Sequence, residues 1–288
     1  METGQKASSD LLSNGKLYTQ RARLVLPYLV RQAKAGQSIY YSDLAQEVGI
    51  PNPRNLNYVL GAIGKAILEL KEKTRIDIPP IQCIVINKTT NMPGEGIGWF
   101  INRTDYKKLS KNQKQQLLDR ALGAIYSFQQ WDWVLKQFQL IPIIADIKPE
   151  IERVKQMRGG GGESPFHLAF KLYVAKNPKV LGLSEKTDPG KIEYCLPSLD
   201  TIDVLFTDKT SKIGVEVKSR ISDPDDILRG LFQCIKYKYL IEAEQKVRNE
   251  KVDCRVILAL EGKLPVKLVS VKNILGVDVV DGINCTAI

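Results

Sequence analysis

Apolar residues recur at helical spacing through most of the first half of the chain. Leu24, Leu26, Tyr28 and Leu29 predict a helix over Tyr18–Ala35, and Val59, Leu60, Ile63, Ile67 and Leu70 mark the buried side of another from about Asn55 to Lys73. Between them, Ser38–Tyr41 reads as a short strand. Leu44–Val48 reads as a short helix, capped by Ser42 or Asp43 and closed by Gly49, and Pro51-Asn52-Pro53 makes a turn. Two strand-like segments follow, Ile81–Asn87 and Ile97–Ile101, joined through Pro93-Gly94 and Glu95-Gly96. A long amphipathic stretch, about Asn112–Phe138, closes this half.

The second half alternates at strand spacing. Leu199–Phe206 and Ile213–Lys218 predict two strands joined by a hairpin turn at residues 207–211. Before them, a helix opens near Glu163 and runs through Ala175. After them, Arg229–Tyr237 opens another helix, Cys254–Leu260 is an apolar run of the kind buried on both faces, Lys267–Asn273 reads as a helix and Val277–Val280 as an edge strand. This half therefore reads as an α/β domain with a mixed central sheet.

Four consecutive glycines, residues 159–162, can neither continue a helix nor pack a strand, and Lys148-Pro149-Glu150 is a second break. With 288 residues the chain has room for two domains, taken as 1–150 and 151–288.

Composition narrows the chemistry. A single histidine, His167, leaves no histidine pair for a zinc site or a relay. The five cysteines, Cys83, Cys195, Cys234, Cys254 and Cys285, lie at least 20 residues apart, which excludes a Cys-x-x-Cys zinc ribbon. Their odd number, the polar start of the chain and the lack of a long apolar run fit reduced thiols in a cytoplasmic protein with no membrane partner. No ATPase motif is present, so no nucleotide cofactor is expected. The net charge is +10, and residues 1–150 hold 20 basic against 13 acidic side chains. A balance of this sign draws polyanions, among which DNA is the expected partner.

The order helix, short strand, helix, turn, helix, hairpin is that of a winged helix, whose second helix-turn-helix element enters the major groove. On that reading Arg54, Asn55 and Asn57 stand at the reading end of the Asn55–Lys73 helix, and Lys88 and Arg103 flank the wing. Tyr41-Ser42-Asp43-Leu44-Ala45 and Ile78-Pro79-Pro80-Ile81 resemble the DNA-binding domain of O6-alkylguanine alkyltransferases. The resemblance covers about 50 residues, and the reactive Pro-Cys-His-Arg is absent: Cys83 sits in Gln82-Cys83-Ile84. Alkyl transfer is thus not implied.

Period-two alternation places Ile202, Val204 and Phe206 on one face of their strand and Asp203 on the other. It places Val215 and Val217 opposite Glu216 and Lys218. Antiparallel pairing then brings Asp203, Glu216 and Lys218 together at one end of the sheet. Two carboxylates can hold Mg²⁺ or Mn²⁺, and a lysine can orient water or neutralise charge on phosphorus. The same residues occur on ordinary solvated hairpins.

The set Glu163, Asp203, Glu216-Val217-Lys218 resembles the PD-(D/E)XK nuclease superfamily, the restriction-endonuclease-like fold, over Glu163–Leu240. The resemblance implies Asp203, Glu216 and Glu163 as metal ligands and Lys218 as a catalytic residue. Gln233, four residues before Tyr237, takes the place of a motif that follows the lysine in some branches. The literal Pro-Asp is lacking, since Ile202 precedes Asp203. The expected function is a metal-dependent endonuclease acting on DNA in restriction or defence, with a homodimer where both strands are cut. A catalytically silent DNA-binding protein, and an effector nuclease whose first domain senses a partner or ligand, stay open. So does the role of His167, which can contact phosphate or pack its helix.

Overall fold

The computed structural model describes residue 12 and residues 15–101, 105–144, 146–157, 164–207, 211–250 and 252–285. The chain divides into two compact units, Met1–Ala145 and Asp146–Ile288.

In the first unit α1 (Leu17–Ala35), β1 (Ile39–Tyr40), α2 (Tyr41–Glu47) and α3 (Leu56–Thr74) follow the predicted order. α3 buries Leu56, Val59, Leu60, Ile63, Ile67 and Leu70, an i, i+3, i+4, i+7 stripe, against α1. Gly36 ends α1 in a left-handed conformation, φ +67°, with its N–H on Ala33 O. Arg31 of α1 and Glu47 of α2 form a buried ion pair at 2.8 Å. α2 starts three residues earlier than predicted and has no side-chain cap, so neither Ser42 nor Asp43 plays that part.

The expected hairpin is not formed. Residues Ile81–Ile84 make a 3-10 turn, and only β2 (Val85–Ile86) is strand, paired parallel with β1. The physical reason is burial without alternation: Ile81, Cys83, Ile84 and Val85 are all buried, so no solvent face exists for a two-sided ribbon. Residues Ile97–Phe100 are a helical turn, α4, wound up by consecutive turn bonds from Ile97 N–H to Gly94 O and Gly98 N–H to Glu95 O. α4 brings the Phe100 ring onto α3, where a Cβ on Gly64 would stand 2.3 Å from it. The long amphipathic stretch is two helices, α5 (Lys111–Ser127) and α6 (Trp131–Gln137). Ser110 and Gln113 form a reciprocal capping box at the start of α5, and the Trp131 indole N–H on Ile125 O fixes the corner between the two helices.

The second unit begins with α7 (Lys148–Gln156), which packs on a long later helix, and continues with α8 (Pro165–Lys176), β3 (Lys191–Cys195), β4 (Thr201–Thr207), β5 (Ser211–Lys218), α9 (Pro224–Val247), β6 (Asp253–Leu260), α10 (Val266–Leu275) and β7 (Asp278–Val280). The sheet order is β3-β4-β5-β6-β7. The first three strands run antiparallel and the last three parallel, a mixed five-stranded sheet as expected. One face packs Phe170 and Val174 of α8 against Val204, Phe206, Val215, Val217, Ile257 and Ala259. The other packs Leu231, Cys234 and Ile241 of α9 against Ile202, Leu205, Val256 and Leu258. β3 was not predicted: its residues are mostly exposed at the sheet edge, so no apolar alternation marks it. Among the described residues no helix is long and apolar enough to cross a membrane.

Phe170 is fully buried between α8 and the sheet. Phe170→Ala should destabilise the chain by about 3–5 kcal/mol, read as a lower midpoint in urea unfolding. A change within experimental scatter would show that this face does not hold the fold.

Candidate functional site

The ladder between β4 and β5 ends at Val204 opposite Val215. The next step would place Asp203 opposite Glu216. There the backbone pairing gives way to a side chain, and Val217 N–H donates to Asp203 Oδ2 at 2.8 Å. The expectation that Ile202, Val204 and Phe206 share a face is therefore corrected. Ile202 packs with α9, whereas Val204 and Phe206 pack with α8. The alternation breaks at Asp203 because its carboxylate replaces a ladder carbonyl.

The neighbouring strand breaks at the same level. β3 pairs Ile192 with Val204 and Tyr194 with Ile202, and the register carries no pair for Glu193 and Asp203. Glu193 takes a left-handed φ of +51°, uncommon for a residue other than glycine. Both positions are met from α8, by residues one helical turn apart: Lys171 Nζ donates to Glu193 Oε1 at 2.8 Å, and His167 Nε2 lies 3.6 Å from Asp203 Oδ1.

Glu216 and Lys218 share the α9 face of β5 and are nearly out of water, 3% and 6% exposed. Lys218 Nζ reaches Glu216 Oε1 at 3.0 Å, Asp226 Oδ1 at 3.1 Å and Gln233 Oε1 at 3.4 Å. Gln233 Nε2 in turn donates to the Tyr237 hydroxyl at 3.4 Å. α9 comes this close because residue 230 is glycine: a Cβ there would stand 2.9 Å from Lys218 Cε.

The electrostatics are uneven. Burial, then the adjacent Asp203 carboxylate with which it is hydrogen bonded, pushes the Glu216 carboxyl up to about 8, against the pull of Lys218. Burial also works against Asp203, but hydrogen bonds from His167 and Val217 N–H, with the His167 and Lys218 charges, hold its carboxyl below the usual range. For Lys218, burial disfavours the charge, and Glu216 and Asp226 outweigh it and raise the pKa. Asp226 is held low by Lys218 in spite of its burial. In the resting site the proton therefore belongs on Glu216, facing an ionised Asp203.

Asp203, Glu216, Lys218 and Gln233 are thus brought together. Glu163 and Arg103 lie outside the described residues. Arg54, Asn55 and Asn57 are exposed in the turn before α3 and on its first turn, and Lys88 is exposed just past β2. Asp226 was missed. Its signal was an acid eight residues after Lys218, hidden in the acidic start of a helix where Asp223, Asp225 and Asp226 all read as capping. His167 is half-buried and faces Asp203 rather than simply packing its helix.

Among the described residues no three His, Cys, Asp or Glu side chains gather into a metal cage. The two abutting carboxylates nonetheless fit a divalent cation that keeps several waters, since a cation in place of the shared proton removes their repulsion. No family model matches the sequence, and neither curated proteins nor solved structures yield a significant match.

Glu216 sets a pH dependence for the cation-free chain. An ordinary glutamate ionises near 4.5 and this one near 8, so between those values the native chain keeps a proton that the unfolded chain has lost. Stability should therefore fall as pH rises through that window. Asp203 and Asp226, held low, act only in acid, below their ordinary value of 3.8. Urea midpoints measured across the window should drop for the wild type and stay nearly level in Glu216→Gln. An equal drop in both chains would remove Glu216 as the cause.

Proposed function

We propose that the chain is a Mg²⁺- or Mn²⁺-dependent endonuclease that hydrolyses DNA phosphodiester bonds at the Asp203, Glu216 and Lys218 cluster. The observation that carries this reading is the pair of abutting carboxylates beside a buried ammonium at the parting of two strands. A solvated hairpin would leave these groups in water, and here Glu216 and Lys218 are removed from it, the Lys218 ammonium at a desolvation penalty on the order of several kcal/mol. Such an expense is expected of a site rather than of a surface.

A bound divalent cation would supply charge neutralisation on the phosphate and a more acidic water. Asp203 and Glu216 would hold it, with Glu163 as the further acid that the sequence resemblance adds. As a ligand Glu216 would be ionised, since a bound cation favours its carboxylate form. Lys218 keeps its proton on Nζ and presents positive charge where negative charge builds on phosphorus. Gln233 and Tyr237 extend the hydrogen-bonded chain from Lys218 and fix its direction. The first unit would place DNA through Arg54, Asn55, Asn57, Lys88 and Arg103, and a second copy of the chain would be needed to cut both strands at one place.

A second reading, an effector whose first unit senses a small ligand, has one observation in its favour. Gln82 is buried with neither side-chain polar atom hydrogen bonded among the described residues, and it lines a cavity of about 370 Å³ with Tyr41, Asn57 and Phe100. A buried amide left unsatisfied is costly unless something else partners it.

Plasmid cleavage should require Mg²⁺ or Mn²⁺ and stop in EDTA. Asp203→Asn and Glu216→Gln should each slow it by about 10²-fold or more while leaving the fold intact. Undiminished cleavage in EDTA, or a wild-type rate in either variant, would place the chemistry elsewhere. Binding of DNA by the full chain in EDTA should weaken steeply with salt. Arg54→Ala and Lys88→Ala should each flatten the slope of log K against log salt by about one unit if these residues touch phosphate. Unchanged slopes would favour the ligand-sensing role for the first unit.

A further inference from the structure

We propose that Asp226 is the positioning residue for Lys218, holding its ammonium from the first turn of α9 when a cation engages Glu216. The consequence for cleavage rests on the nuclease reading above; the contact itself does not.

Lys218 Nζ meets three acceptors, Glu216 Oε1 at 3.0 Å, Asp226 Oδ1 at 3.1 Å and Gln233 Oε1 at 3.4 Å. An ammonium has three N–H donors, so this set saturates it. The partners are not equivalent. Glu216 stands on the same strand as Lys218, and its carboxylate is what a cation would take. Asp226 and Gln233 stand on α9, seven residues apart, with Gly230 between them on the same helical face. They form a two-point cradle that does not depend on Glu216.

Asp226 is itself held firmly. Its backbone N–H donates to Asp223 Oδ1 at 2.8 Å, its carboxyl is hydrogen bonded by Ser222, and its charge lies at a helix N-terminus, which favours an anion. The absent side chain of Gly230 lets the Lys218 stem lie against the helix, so the ammonium arrives at this cradle along a fixed path. With Glu216 engaged by a cation, the Asp226 and Gln233 acceptors would still hold two of the Lys218 donors and the third would be released. An amide at position 226 would keep the size and lose the charge.

The test is a double-mutant cycle on the full chain with Asp226→Asn, Lys218→Ala and the pair. In plasmid cleavage, Asp226→Asn should lower kcat about 10- to 100-fold and leave KM for DNA and the half-saturating Mg²⁺ within about twofold. Asp226→Glu should recover part of the loss. In the Lys218→Ala background Asp226→Asn should have no further effect. An undiminished loss in that background, or a loss confined to KM, would overturn the proposal. The same cycle read by thermal unfolding in excess Mg²⁺ without DNA separates it from the nuclease reading. Coupling between positions 218 and 226 is expected there whether or not the chain cuts DNA, and strictly additive shifts in Tm would overturn the assignment of Asp226. A wild-type chain with that coupling and no cleavage would support the contact and refute only the nuclease reading.

Discussion

A lysine ammonium and a carboxyl group lie side by side on a sheet face packed largely with leucine, isoleucine and valine, and the second unit is arranged around that burden. Charges removed from water are tolerated only when paired and hydrogen bonded. Lys218 meets this demand with three acceptors. Glu216 meets it by keeping a proton, because burial and then the Asp203 carboxylate beside it push its carboxyl up. The two solutions are linked: Asp203 remains ionised through hydrogen bonds from His167 and Val217 N–H and the nearby His167 and Lys218 charges, against its own burial. Remove any one member and another is left buried without its partner.

This interdependence explains why the strands depart from ideal pairing where they do. Regular pairing through Asp203 would engage only backbone groups and leave its side chain on one face or the other. Instead the carboxylate enters the plane of the sheet and takes the Val217 N–H, and the register of β3 skips Glu193 at the same level. The left-handed Glu193 is a local expense that Lys171 offsets with a direct ion pair. α8 thus does two jobs: Phe170 and Val174 face the core, while His167 and Lys171, a turn apart, fix the two irregular positions.

What the sequence revealed, and what it hid, follows from the same physics. Helices with a full apolar stripe, such as α3, and strands buried on both faces, such as β6, are legible because burial writes a period into the residues. The Asp203, Glu216, Lys218 grouping was legible from the alternation of β5 and the antiparallel order of the hairpin, although alternation does not carry through Asp203 in β4. Three features were not. β3 lies at an exposed edge and carries no period. The segment from Ile81 to Val85 is apolar at nearly every position, a pattern that a strand and a buried turn share, and the surroundings chose the turn. Asp226 was concealed because an acid in the first turn of a helix already has a local explanation in the helix dipole. Only the three-dimensional approach of Lys218, made possible by Gly230, gives it a second one.

α9 is the element on which packing and polar geometry meet. Its apolar residues, Leu231, Cys234 and Ile241, anchor it to the sheet, and on the same approach Asp226, Gly230, Gln233 and Tyr237 enclose the buried charges. Packing and polar geometry are therefore set by one rigid body. A helix displaced by an overpacked core would shift every acceptor around Lys218 together, whereas a loop carrying the same residues could adjust them singly. Interiors packed as densely as crystals yield little to small displacements, so the apolar contacts of α9 hold the acceptor distances at Lys218 to within narrow limits. In that sense the core of the second unit is also the support of its candidate site.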